Sequence, residues 1–168
     1  MARNFVSIVM GSDSDMEVMK EASAVLAKFG VAHELRIASA HRSPKFLGAC
    51  VRDAEKRGAA VFVAGAGAAA ALPGAIAALT ARPVLGVPIP SSSLQGLDAL
   101  LSMAQMPGGI PVGTMAIGTT GAKNAGIMAV EILALGDARL ASALRRHRTE
   151  QERAIVKKDR QARRNHRK

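Results

Sequence analysis

The run Ser39-Ala40-His41-Arg42-Ser43-Pro44 sets an imidazole beside a guanidinium. An imidazole takes and returns a proton near neutral pH, and a guanidinium holds a phosphate or carboxylate through a planar two-pronged fork. One short loop thus carries the means for proton transfer and anion binding, the alternative being an exposed turn whose serine caps the next helix. A second polar run, Gly11-Ser12-Asp13-Ser14-Asp15, lies one strand and one helix earlier. Its hydroxyls, with the free N–H groups that open the following helix, suit a phosphate. Asp13 and Asp15 repel a bare anion but accept hydrogen bonds from ribose hydroxyls, so a sugar phosphate fits the mixture better; Asp15 as a helix cap is the other reading. The third run begins Gly65-Ala66-Gly67, like the start of a dinucleotide fingerprint. That match fails, because Ala70 stands at the third glycine position and no acidic residue follows about twenty positions on. Small residues there let backbone amides approach a ligand or another subunit, or simply make a tight turn.

Other chemistry is harder to find. His33, His41, His147 and His166 have no metal-ligand spacing to one another or to Cys50. No Gly-x-Ser-x-Gly elbow and no phosphate loop ending in Gly-Lys-Ser/Thr occurs. His33 falls inside a strand pattern and reads as a packed or half-exposed residue, while His147 and His166 fall in a charged tail. His41 is therefore the one histidine expected to do chemistry.

The elements that must position these runs alternate along the chain. Residues 6–10 read as a buried strand, and Met16, Met19, Ala22, Val25, Leu26 and Phe29 recur at helical spacing up to Gly30. Residues 31–38 form a more polar strand, followed by a helix from Pro44 to Arg57. Strands are predicted at 60–64, 84–89 and 112–117, and helices at 94–104, 122–135 and 137 to about 160, with a loop over 65–74. Short apolar strands alternating with helices imply a parallel sheet covered on both faces. Ligands gather at the carboxyl ends of such strands, so the three runs should converge on one edge.

The chain has 168 residues, 49% of them hydrophobic but only 2% aromatic, which predicts one domain with a core of Ala, Val, Leu, Ile and Met. A core so poor in bulk gains burial by association. One cysteine excludes an internal disulfide, and the absence of a leader or long apolar run predicts a cytoplasmic protein without a membrane contact. Of the net charge of +10, residues 145–168 hold +8, with eleven Lys and Arg against three acids; residues 1–144 carry only +2. The basicity belongs to the tail, and the chain divides into an α/β domain over 1–144 and a basic helical tail over 145–168.

Six ordered motifs carry a resemblance. They are Gly11-Ser12-x-Ser14-Asp15, Ser39-Ala40-His41-Arg42-x-Pro44, Ala64-Gly65-Ala66-Gly67 with Leu72-Pro73-Gly74, residues 83–88, Gln105-Met106-Pro107 with residues 109–113, and residues 121–125. Over about residues 5–140 they resemble the bacterial N5-carboxyaminoimidazole ribonucleotide mutases of purine biosynthesis. The resemblance implies an α/β, three-layer αβα, flavodoxin-like fold with a five-stranded parallel sheet and a C-terminal helix, assembled as a homo-octamer. It implies migration of a carboxylate from N5 to C4 of an aminoimidazole ribonucleotide without metal, ATP or biotin. His41 corresponds to the general acid and base. Ser12, Ser14, Asp15, Ser39, Arg42, Gly67, Ala68, Ala71 and Leu72 correspond to the substrate-binding set.

Three features depart from that pattern. Ala71 stands where the family has a second active-site histidine, which leaves three readings: the mutase with a compensating group, a paralogue that carboxylates or decarboxylates another ribonucleotide, or an engineered or decayed, catalytically impaired relative. Ala68 replaces a glycine, putting a methyl group near the ligand and favouring φ < 0. The tail is more basic than the family pattern and reads as a solvated helix with a frayed end. The rival function is polyanion binding through this tail, which, without aromatics for stacking, would be weak, non-specific and lost with salt.

Overall fold

The computed structural model describes residues 4–166. Five parallel strands, β1 (Phe5–Met10), β2 (His33–Ile37), β3 (Ala59–Gly67), β4 (Val84–Ile89) and β5 (Gly113–Thr114), form one sheet in the order β2-β1-β3-β4-β5. Six helices connect and cover them: α1 (Met16–Lys28), α2 (Pro44–Lys56), α3 (Ala71–Ala77), α4 (Leu97–Ala104), α5 (Gly118–Ala134) and α6 (Ala138–Asn165).

Strand alternation divides the apolar residues between two cores. Val6, Ile8 and Met10 of β1, with Val61 and Val63 of β3, face α1, α5 and the start of α6, where Met19, Leu26, Ala125, Ala129 and Leu140 are buried. Phe5, Val9, Phe62 and Ala64 face the opposite side, against Leu47 and Val51 of α2, Ile76 of α3 and Met103 of α4. Three layers result. Small residues set their spacing: a Cβ on Gly126 of α5 would lie 2.8 Å from Val25 Cβ of α1, so these helices meet almost backbone to backbone.

Several boundaries differ from expectation. Only Gly113 and Thr114 of the predicted fifth strand pair with β4. Residues 65–67 continue β3, shortening the predicted loop, and α3 occupies part of what remained. Pro73 fits α3 because the first turn of a helix needs no N–H donor. α6 runs unbroken across residue 145, where the basic tail begins, and burial along it stops at Leu144. No helix of the described residues is long and apolar enough to cross a membrane.

Candidate active site

The order β2-β1-β3-β4-β5 reverses direction between β1 and β3, and a crevice opens where the connections from those strands leave on opposite sides. All three polar runs end there. A cavity of 330 Å³ is lined by Ser12, Ser14 and Asp15 after β1, by Ser39, His41 and Arg42 after β2, and by Gly67, Ala71 and Leu72 at the end of β3 and the start of α3. Nine of the ten residues singled out in the sequence therefore share one wall. The tenth does not: Ala68 is exposed outside the lining, at φ +51°, so the expectation of φ < 0 is overturned. The reason is the turn that joins β3 to α3, in which Ala68 and Ala70 (φ +45°) both take the left-handed conformation.

The first loop is ordered by its own side chains. Ser12 precedes a single 3-10 turn, Asp13–Asp15, and its Oγ accepts from the Ser14 N–H while the Asp15 carboxylate accepts from the Ser12 N–H at 3.2 Å. This reciprocal pair satisfies donors that the turn leaves open. Asp15 makes no cap to α1 itself. Burial pushes the Asp15 carboxyl above its ordinary value, opposed by bonds from Ser12 and Ser14 and by the charge of Arg42. Asp13, outside the lining and exposed, is held below its ordinary value by the Ser12 hydroxyl and the Ser14 N–H. The two carboxylates of one loop are thus driven in opposite directions by their surroundings.

The second loop is tied to the first. Arg42 Nη2 donates to the Gly11 carbonyl at 2.9 Å, and its Nε donates to Ser39 Oγ at 3.4 Å. The side edge of the guanidinium is therefore engaged by protein, which leaves the end edge with Nη1 for a ligand; the whole fork foreseen from the sequence is not free. Ser43 does not cap α2. Its Oγ instead accepts from the Ser39 N–H at 3.0 Å and donates to the Ser39 carbonyl at 3.1 Å, closing the turn that presents His41. His33 is packed as expected: its Nδ1 lies 2.9 Å from the Val31 carbonyl, to which it donates, and Nε2 lies 2.8 Å from Ser23 Oγ.

Gly11, Ala40, Ala66, Ala70 and Ser91 also line the cavity. Ser91, just beyond β4, brings in a fourth connection. Its only sequence signal is a hydroxyl placed directly after a strand, in the run Ser91-Ser92-Ser93.

Fold and cleft together define a doubly wound α/β protein with a small polar ligand site at the switch point of its sheet. The sequence pattern of the AIR carboxylase family matches residues 5–154, and the chain belongs to that family. It is 52% identical over 141 residues to the N5-carboxyaminoimidazole ribonucleotide mutase of Saccharolobus solfataricus, covering 84% of this chain and 88% of that one. The mutase of Pyrococcus abyssi is 53% identical over 148 residues, covering 88% and 84%. Among solved structures, Treponema denticola PurE superimposes with a TM-score of 0.85 at 28% identity, covering 94% of this chain and 97% of that one.

Proposed function

We propose that this chain interconverts N5-carboxyaminoimidazole ribonucleotide and its C4-carboxylated isomer in purine biosynthesis, as an isomerase. The observation that carries the reading is the meeting of His41, Arg42, Ser12 and Asp15 at one cavity in a chain about half identical to such mutases. The volume of 330 Å³ lies at the lower end of the range usual for small-molecule sites.

In this reading Arg42 and the serines hold the phosphate and Asp15 receives ribose hydroxyls, with Gly67, Ala71 and Leu72 as the close, side-chain-poor wall and Ala68 shaping the turn behind it. His41 protonates N5 as the N5–carboxylate bond breaks and carbon dioxide leaves. The C4 carbon then attacks the carbon dioxide, and His41 removes the C4 proton. One imidazole returns to its starting state with no net proton consumed, and such a shuttle contributes about 10²- to 10⁴-fold. The apolar wall formed by Ala40, Ala66, Ala70 and Leu72 suits retention of a small neutral intermediate.

The test is incubation of the purified protein with the N5-carboxylated ribonucleotide, following the C4-carboxylated product by absorbance. Turnover that falls at least 100-fold in His41→Asn, with unchanged circular dichroism, supports the assignment. Absence of turnover in the parent, or full activity in His41→Asn, refutes it. Assembly as a homo-octamer belongs to the same reading and draws support from Leu94 (59% exposed) beside Leu97 and Leu101 on the outer face of α4. Light scattering giving eight chain masses is the expected result. A phosphorylated substrate, which does not cross a membrane unaided, supports a cytoplasmic location in this reading.

A further inference from the structure

The outer half of α6 has no part in the site or the cores. Leu144 is the last buried residue, Arg148 makes an ion pair with Glu131 of α5, and every described residue from Arg148 on is exposed. At 1.5 Å per residue the helix continues for about 25 Å beyond that pair.

Its charges are sorted around the axis. With 3.6 residues per turn, Arg146, Arg153, Lys157, Arg160 and Arg164 fall within an arc of about 60°, forming a stripe about 27 Å long. Among the described residues none of these five makes an ion pair. Glu152 and Asp159 lie on a different flank, where Asp159 pairs with Arg163. Glu150, at the border of the stripe, makes no ion pair either and lowers its charge by one.

We propose that this stripe binds the phosphate backbone of nucleic acid without regard to sequence. A helix carrying five cations along one stripe, at Arg146 and then at each turn from Arg153 to Arg164, complements a linear array of phosphates, from which it releases counterions. The outer half carries no Phe, Tyr or Trp, so it offers no platform of aromatic side chains on which successive bases could stack. An anionic membrane fits less well, because Ile155 and Val156 are the only large apolar residues there and they point about 100° apart, leaving no apolar face to bury. A second copy fits less well too, since six of the ten acids of the body, Glu17, Glu21, Glu34, Asp53, Glu131 and Asp137, already have cationic partners and the other four form no matching row. The proposal is independent of the ribonucleotide site.

The test uses the full chain and a fluorescein-labelled 24-base-pair duplex of arbitrary sequence, read by anisotropy across salt concentrations. Five phosphate contacts predict a slope of log K against log salt of about −4.5, a weakening of about 500-fold between 50 and 200 mM. The variant R153Q/K157Q/R160Q/R164Q keeps helix-forming residues throughout, should show a slope near −1, and should retain the turnover of the parent. Equal duplex binding by this variant, binding indifferent to salt, no binding by the parent at 50 mM, or tighter binding to phosphatidylserine vesicles than to the duplex would each overturn the proposal. Turnover is scored separately, so failure here and failure of the mutase reading are distinguishable.

Discussion

Gly67→Ala probes a close approach between the end of β3 and the chain beyond β4 at the wall of the cavity. The added Cβ would stand 1.8 Å from Ser91 Oγ, 2.9 Å from Ser91 Cβ and 3.0 Å from the Ile89 carbonyl oxygen. Rotation of Ser91 about χ1 removes the first clash but leaves its Cβ where it is. Relief must then come from β3 or β4, whose pairing is fixed there by the register Gly67↔Ile89. Overpacking of this kind costs about 1–3 kcal/mol. For a chain of this length a cost of about 2 kcal/mol lowers Tm by about 4–8 °C. Ser91→Gly alone should cost little, because Ser91 is exposed. Combined with Gly67→Ala, it removes two of the three close contacts and should restore at least half of the lost stability, a coupling of about 1 kcal/mol. Calorimetry of the four proteins measures the coupling, and turnover of the N5-carboxylated ribonucleotide reports the constriction of the cavity. A Tm for Gly67→Ala equal to that of the parent, or a double variant equal to the sum of the singles, would refute this account of the β3–β4 junction.

Arg42→Ala removes an anion partner together with the link to Gly11, and KM for the ribonucleotide should rise about tenfold or more, the scale of a charge-assisted hydrogen bond; an unchanged KM would exclude Arg42 from binding. Ala68→Gly relieves a left-handed conformation that costs an alanine about 1 kcal/mol, partly offset by the entropy of glycine in the unfolded chain, so Tm should rise by about 1–3 °C in a calorimetric scan. Asp15 is a carboxyl whose folded value is raised, so the folded protein holds its proton more tightly than the unfolded chain does. Its contribution to stability is greatest below the ordinary carboxylate value and is lost as pH rises through the raised one. Asp15→Asn should abolish that loss, and the difference in urea midpoint between variant and parent should grow in favour of the variant over the same window.

Strands β1, β3 and β4 were legible because both faces of a parallel sheet are buried, which leaves continuous apolar runs such as Val6–Met10 and Val84–Ile89. Residues 112–117 have a similar composition but form only a two-residue strand, since the chain turns away after Met115 donates to the Gly86 carbonyl and enters α5. The first turn of α5, Gly118-Thr119-Thr120-Gly121, has weak helix propensity and was invisible for that reason. It forms because Gly121 lies against the Ala116 carbonyl, an approach that leaves no room for a Cβ. The convergence of the three loops followed from the alternation of strands and helices, which makes the sheet parallel and puts every loop after a strand at one edge, and was readable in advance. The left-handed turn at Ala68 and Ala70 was not, because alanine at such positions is held by its surroundings rather than by its own preference.

The bond from Arg42 to Gly11 gives that side chain two employments. Half of its planar head laces neighbouring loops together before anything arrives, so the mouth of the cleft is braced in the empty protein. A lysine would supply the same charge but has no flat, forked head with which to span Gly11 and Ser39 while facing an anion. What this position demands is reach and planarity as much as positive charge, and an exchange that looks conservative on paper would leave the rim unlaced.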